Sequence, residues 1–408
     1  MNTRLVREIL KNTDYIRVSG TDEELKAAEY LKDLAEGFGA EAHFETFPVQ
    51  MTHIREAHLY ADGVEIPCKA FRNCGSGEIE APFLYLPAID EVSLTNVRGK
   101  IVLLDTGLGY FTYHDLIDNG AVGIITYDGN VNYRDNDIDL KELRAYVHTG
   151  TKVLCANINV KDAVKLVKKK TKTVRIVIDQ DEYEGESRNV VATFPGKTDE
   201  WIAFTAHYDS TPLSHGSYDN MTGCITLLGL MEKLAKTAPN RYGLRFIFCG
   251  SEERGLLGSK AYAAAHEEEL KNCVLNINLD MIGSVMGKFI ACVTAEDKLV
   301  NYVAYLGAEV GWPINARQGV YSSDSTPFAD KGVPAVSFAR IAGGSTASIH
   351  NRYDTMALLS AEQIRRDTDF IALFAGRMAN AAKCPVSKEI PEKVRTELDE
   401  YLNRKRKS

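Results

Sequence analysis

The sequence contains no run approaching the about 20 apolar residues needed to cross a bilayer, which argues against membrane insertion. Its first 19 residues carry Arg4, Arg7, Glu8, Lys11 and Asp14 and hold no apolar core of leader length. The chain is therefore expected to work in the cytoplasm, or outside the cell if a leader has been removed ahead of it. Excess positive charge is also missing. Lys and Arg number 48 against 56 Asp and Glu, a formal net charge of −8, so a general grip on nucleic acid is not expected. Eight cysteines occur without one CxxC pair to seat a structural zinc. Cys68 and Cys74 could bridge in an oxidising compartment, but packed free thiols are the favoured reading.

What is present is an ordinary globular composition, 45% hydrophobic and 25% charged, in 408 residues, enough for two domains. Two textures divide the chain. Residues 22–37 read as an amphipathic helix stopped by Gly37 and Gly39, and 42–49 as a strand. From about residue 50, short apolar runs alternate with turns, including the hairpin signal Asp62-Gly63. Val97 to Asp105, a helical stretch from Tyr113 to Asn119 and Gly120 to Tyr127 form a strand–helix–strand unit. Lys161 to Lys170 reads as a solvated helix face. The acidic run from Asp179 to Ser187 is expected to be a connection between domains rather than a site.

After Asn189 strands alternate with helices, which implies an α/β fold: a mostly parallel sheet with helices on both faces. The expected organisation is an N-terminal part at 1–49, a β-rich insert at 50–178, the main domain at 179–384 and a charged tail at 385–408, expected to form one more helix with a solvated basic end at Arg404–Lys407.

The chemistry gathers where strands should end. His207 and Asp209 follow the apolar run Trp201–Ala206, Glu252 and Glu253 follow Leu244–Cys249, and Asp280 follows Leu279. Asp219 precedes a helix, and His350 lies in a loop after the strand ending near Phe338. Sites in open α/β sheets form outside the carboxyl ends of the strands, so coarse topology puts all of these groups on one rim. Singly each has a bland explanation; Asp219, for instance, could merely cap a helix. Five such groups on one rim are harder to explain away. Imidazole and carboxylate are ordinary zinc ligands. His207, Asp219, Glu253, Asp280 and His350 would offer three negative charges and two neutral nitrogens to two divalent ions. Asp209 is placed to accept the other ring N–H of His207 and fix its tautomer.

The segments Ala206–Ser210, Gly216–Asn220, Gly250–Glu253, Asn278–Gly283 and Ile349–Thr355 resemble, in order, the five motifs of the co-catalytic zinc aminopeptidases, relatives of glutamate carboxypeptidase and the transferrin receptor. The resemblance implies two zinc ions, other divalent metals being possible. His207, Asp219 and Asp280 would serve one ion, and Asp219, Glu253 and His350 the other. Glu252 would be the general base, taking a proton from a water shared by the ions to leave hydroxide, and Tyr321 is a candidate for the family's oxyanion-binding tyrosine. Val97 to Tyr127 is similar to the core of a protease-associated domain, covering roughly 50–178. Two departures, Met221-Thr222 after Asn220 and Ser325 where relatives carry His, are expected to bear on the substrate pocket. The implied activity is removal of N-terminal residues from peptides. A carboxypeptidase or dipeptidase, with Arg340 or Arg352 holding a substrate carboxylate, and a non-catalytic receptor-like relative are the alternatives. The implied partner is a peptide; nucleic acid and membrane are not expected, and a homo-oligomer stays open.

Overall fold

The apolar run at 201–206 becomes the middle of a buried sheet because its alternate side chains are claimed by different layers. Ile202, Phe204 and Ala206 join one apolar core, while Trp201 and Ala203 join another. The computed structural model describes residues 1–344 and 346–407. It divides into two units, Met1–Pro48 with Glu186–Ser408, and Val49–Gly185.

The larger unit is built on strands β1 (Thr173–Phe194, through its last residues), β2 (Trp201–His207), β3 (Gly243–Cys249), β4 (Cys273–Leu279), β5 (Lys288–Thr294), β6 (Asn315–Gln318) and β7 (Ala335–Ile341), in the order β6-β5-β7-β4-β2-β3-β1. The pairs β2–β3, β2–β4, β4–β7 and β5–β6 are parallel; β5–β7 and β1–β3 are antiparallel. Helices Thr3–Asn12, Asp22–Gly37, Thr222–Ala235, Asp297–Val310 and Ala361–Asn380 supply the first core, and Leu257–Ala265 supplies Tyr262 and Ala263 to the second. From β2 the chain goes to β3 on one side, while β4 pairs on the other. The carboxyl end of β2 is thus where neighbouring connections diverge, the place where such sheets open a crevice.

In the unit Val49–Gly185, the parallel strands 83–86, Ile101–Leu104, Gly123–Asp128 and Leu154–Asn159 pair in that order. Helices Tyr110–Asp118 and Val160–Lys168 bury Tyr113, Leu116, Ala163 and Leu166 in the same core as Ile101 and Ile124. The hairpin at Asp62-Gly63 forms between Ala61 and Val64, with both turn residues at positive φ (46° and 81°). All eight cysteines are free, so Cys68 and Cys74 do not bridge.

Residues 179–187, expected as a connection between domains, span the boundary between the two units at Gly185 and Glu186, and they do so as part of β1. The chain alternates there, with Gln180 and Ser187 buried, and cations remote in sequence neutralise the acids: Arg55 pairs with Asp179 and Asp181, and Lys152 with Glu182. The helix expected in the C-terminal segment forms as Glu392–Tyr401, but the segment is not simply solvated: the helix buries Val394 and Leu398 against Ala329 and Ile390, and Arg404 meets Asp330 at 2.6 Å. β5 and β6, not anticipated from the apolar pattern, complete the sheet edge.

Candidate metal centre

His207 is the last residue of β2, and Asp280 immediately follows β4. Glu252 and Glu253 lie in a 3-10 turn just after β3, and His350 in the loop after β7. Asp219 reaches the same rim from a turn ahead of helix Thr222–Ala235, and the peptide between it and Asn220 is cis. Asn220 fastens this turn to the Asp280 loop. Its Oδ1 accepts from the N–H of Gly223 (3.0 Å) and of Met281 (3.1 Å), while its amide donates to Leu279 O (2.8 Å). Gly223 is required by the close approach, since a Cβ there would lie 2.4 Å from Leu279 O.

Two sets of possible ligands result, His207–Asp219–Asp280 and Asp219–Glu253–His350, each with ligand atoms within 4.8 Å of one another. Asp219 belongs to both. Its Oδ1 is 3.1 Å from His207 Nε2, and its Oδ2 is 3.1 Å from His350 Nε2. Asp280 Oδ1 lies 3.8 Å from His207 Nε2, Glu253 Oε2 3.2 Å from His350 Nε2, and Glu252 Oε2 4.0 Å from His207 Nε2. His207, Asp219 and Asp280 are buried, whereas the His350 side chain is half-exposed. Asp209 sits behind, with Oδ1 3.4 Å from His207 Nδ1. It also accepts the backbone N–H of Glu252 (2.9 Å) and Glu253 (3.1 Å), so it holds the acidic turn beside the imidazole.

The protonation behaviour is that of an anionic cage. Burial pulls the imidazoles down, but carboxylates reverse this: Glu252, Asp209, Asp219 and Asp280 push His207 well above its ordinary value, and Asp219 and Glu253 push His350 up to about 11. Burial, then the Asp219 charge, raises Asp280 to about 7. Burial also raises Glu252 well above the usual carboxylate range, helped by Glu253, Asp324 and Asp280. Asp280 Oδ1 is buried with no hydrogen-bond donor among the described residues. A crowd of buried carboxylates that holds its imidazoles in the protonated form is what divalent cations neutralise, so the donor set fits a pair of zinc-type ions.

Tyr321, the candidate oxyanion group, has a buried hydroxyl without a partner among the described residues, and Asp280 and Asp219 lie close enough to add to burial in raising it well above its ordinary value. Arg340, considered for a substrate carboxylate, is committed to Asp367 at 2.6 Å, and the Arg352 guanidinium lies over the Tyr353 ring. The two departures do not line an open pocket. Met221 is core, Thr222 joins Tyr218 O and the N–H of Ile282, and Ser325 is buried against Ser337.

Three residues given no role from sequence turn out to matter. Asp354 accepts the N–H of Tyr218 (2.8 Å) and of Asp219 (3.1 Å), which aims the shared carboxylate; its place inside the last motif was the available signal. Asp324 is fully buried and adds negative charge near His207 and Asp280. Arg17 is fully buried, and its guanidinium donates to the carbonyls of Thr13 (2.7 Å), Tyr15 (2.8 Å), Tyr208 (2.7 Å), His215 (2.6 Å) and Gly216 (2.9 Å). One side chain thus clamps the loops on both sides of the site, and nothing in local sequence announces it. Arg17→Met keeps the bulk but removes the donors to the carbonyls of Tyr15, Tyr208 and His215, while Thr13 O and Gly216 O keep the backbone N–H of Tyr15 (2.9 Å) and Met221 (3.0 Å). Each unsatisfied buried acceptor costs roughly 1–3 kcal/mol, so equilibrium denaturation is expected to register a loss of about 3 kcal/mol or more, with weaker metal retention; an unchanged denaturation midpoint would refute the clamp.

Residues 189–375 match the model of Peptidase family M28. Aminopeptidase YwaD of Bacillus subtilis is 29% identical over 297 residues, an alignment covering 68% of this chain and 62% of that protein. The probable lipoprotein aminopeptidase LpqL of Mycobacterium tuberculosis is 23% identical over 294 residues, covering 68% of this chain and 57% of that protein. The chain thus spans about three-fifths of the length of these curated relatives. Among solved structures, an aminopeptidase from Aneurinibacillus sp. strain AM-1 superposes with a TM-score of 0.77 at 22% identity, covering 95% of this chain and 96% of that one. BSAP, a zinc aminopeptidase from Bacillus subtilis, gives a TM-score of 0.77 at 21% identity, covering 96% and 98%. At these identities the superpositions establish the fold.

Proposed function

We propose that this chain, which belongs to peptidase family M28 through residues 189–375, is a zinc-dependent aminopeptidase that removes N-terminal residues from peptides. The observation that carries the reading is the pair of ligand sets joined through the two oxygens of Asp219. His207, Asp219 and Asp280 would hold one zinc ion, and Asp219, Glu253 and His350 the other. When bound, such ions supply Lewis acidity, polarising a carbonyl and making water a better nucleophile near neutral pH. The chain's own groups do the rest. Glu252 takes the proton of the attacking water on its carboxylate and delivers it to the departing amine. Asp209 holds His207 and the Glu252–Glu253 turn in register. Tyr321 Oη donates to the substrate carbonyl oxygen as negative charge gathers there. Surplus carboxylate charge favours a free α-ammonium on the substrate, and with Arg340 taken by Asp367 the carboxypeptidase alternative loses its better cation.

The relatives YwaD and LpqL, described as aminopeptidases, and BSAP, described as a zinc aminopeptidase, support the same reading. The unit Val49–Gly185 is assigned in the same spirit as a protease-associated domain. No described helix is long and apolar enough to cross a membrane.

The test is a panel of chromogenic aminoacyl-anilides beside N-blocked dipeptides, each with and without a chelator. Cleavage of the anilides alone, abolished by chelation and restored by zinc, is expected; preference for the blocked dipeptides would refute the aminopeptidase assignment. Tyr321→Phe removes one donor to the oxyanion and is expected to lower kcat about 10²-fold with little change in KM. A KM effect alone would place Tyr321 in binding instead.

A further inference from the structure

A second cavity, of about 590 Å³, opens in the larger unit between the start of β5, the segment leading into β6, the end of β7 and helix Ala361–Asn380. Its walls include Lys288, Phe289, Trp312, Arg340, Gln363 and Arg366. Among the described residues lining it there is no Asp or Glu, although the chain has 56 acidic residues against 48 basic ones. The aromatic rings carry the cations. The Arg366 guanidinium lies 5.3 Å from the Trp312 ring centre, and that of Arg340 lies 5.2 Å from the Phe289 ring and 5.8 Å from Trp312.

The carboxylates close by are already engaged, Asp369 by Arg365 and Lys233. Buried Asp367 accepts from Arg340 (2.6 Å), Gln363 (2.9 Å) and the N–H of Gly283 (3.1 Å). Glu362, on the same helix as Arg366, is bound by Arg365 at 2.6 Å. Lys288 and Arg366 therefore have no carboxylate at ion-pair distance among the described residues. The indole Nε1 of Trp312 is likewise buried without an acceptor among them. Cations with no carboxylate in ion-pair contact, set beside an aromatic wall in one concavity, call for an anion that carries an apolar body.

We propose that this cavity binds an organic carboxylate, its head held by Lys288 and Arg366 and its apolar part lying against Trp312 and Phe289. Two sources share that chemistry: the free C-terminus of a peptide, which rests on the peptidase reading, and a small carboxylic acid, which does not. The cavity also has a mechanical link to the metal centre. The backbone N–H of Arg340 donates to Met281 O (2.8 Å), next to Asp280, and its carbonyl accepts from Tyr218 Oη (2.6 Å), next to Asp219.

Trp312 is one of two tryptophans, so in a Trp201→Phe background it reports on the cavity directly and without catalysis. Zinc-loaded protein would be titrated with phenylpropionate, with an N-acetylated dipeptide acid and with the amide of that dipeptide, while indole fluorescence is followed. A saturable change with at least one acid, absent with the amide and weakened about tenfold or more by Lys288→Ala with Arg366→Ala, is expected. Response to the peptide acid together with a raised KM and unchanged kcat for free-acid peptides in the double variant identifies the substrate's C-terminus. Response to phenylpropionate alone identifies a separate small-acid site. Equal response to acid and amide, an unaltered response in the double variant, or none with either acid would overturn the proposal. Loss of peptidase activity throughout would count against the proposed function and leave the fluorescence result standing.

Discussion

Glu252→Gln is expected to lower kcat by about 10³-fold while two metal ions per chain remain bound. The size follows from the role: a positioned general base contributes roughly 10²–10⁴-fold, and an amide can neither take nor return the proton. The selectivity follows from the geometry. Glu252 belongs to neither ligand set, and the turn that carries it is held by its backbone, through the hydrogen bond from its N–H to Asp209 at 2.9 Å. The substitution conserves shape and leaves that backbone contact intact. Steady-state kinetics with an aminoacyl-anilide, beside metal analysis of the same preparation, checks both halves. Near-normal turnover would remove Glu252 from the base role, and loss of metal would make it a ligand.

Asp219→Asn should have the more general consequence. Each carboxylate oxygen of Asp219 faces a different imidazole, His207 and His350, at 3.1 Å. An amide keeps one oxygen, without full charge, and turns its NH₂ toward the other set. Both metal sites are therefore expected to weaken together, with activity falling below detection. Asp280→Asn and Glu253→Gln each alter a single set, so each should retain one tight ion. Metal-to-protein ratios after dialysis, with circular dichroism to verify folding, separate the three. If Asp219→Asn lost only one ion, the bridging reading would fail.

These predictions rest on residues that were legible early, for a physical reason. A side chain that must sit on the carboxyl rim of a parallel sheet follows an apolar run directly, so His207 and Asp280 declare their place by sequence adjacency to β2 and β4. Glu252 and Glu253 do so almost as clearly after β3. Their chemical type completes the signal. The edge strands β5 and β6 were harder to see because an edge needs less apolar content than a buried strand. The acidic run in β1 could be read as a link between domains but not as a strand, because composition reports charge and not the partner: Arg55 and Lys152, which neutralise it, are far away along the chain.

The supporting residues show the same limit more sharply. Arg17 satisfies five carbonyls drawn from three separate stretches, and carbonyl groups leave no mark on a sequence. Asp354 acts through two backbone N–H groups 135 and 136 positions away. Sequence by itself determined the alternation of strands and helices, the rim on which the chemistry stands and the residue types it uses, because periodicity and strand-end position are local properties. Only the tertiary structure decided that Asp219 serves both imidazoles, that Arg340 is spent on Asp367, and that Lys288 and Arg366 face a cavity without a counter-charge. Those facts depend on distances between segments that never meet along the chain, and electrostatic and hydrogen-bond energies are set by such distances.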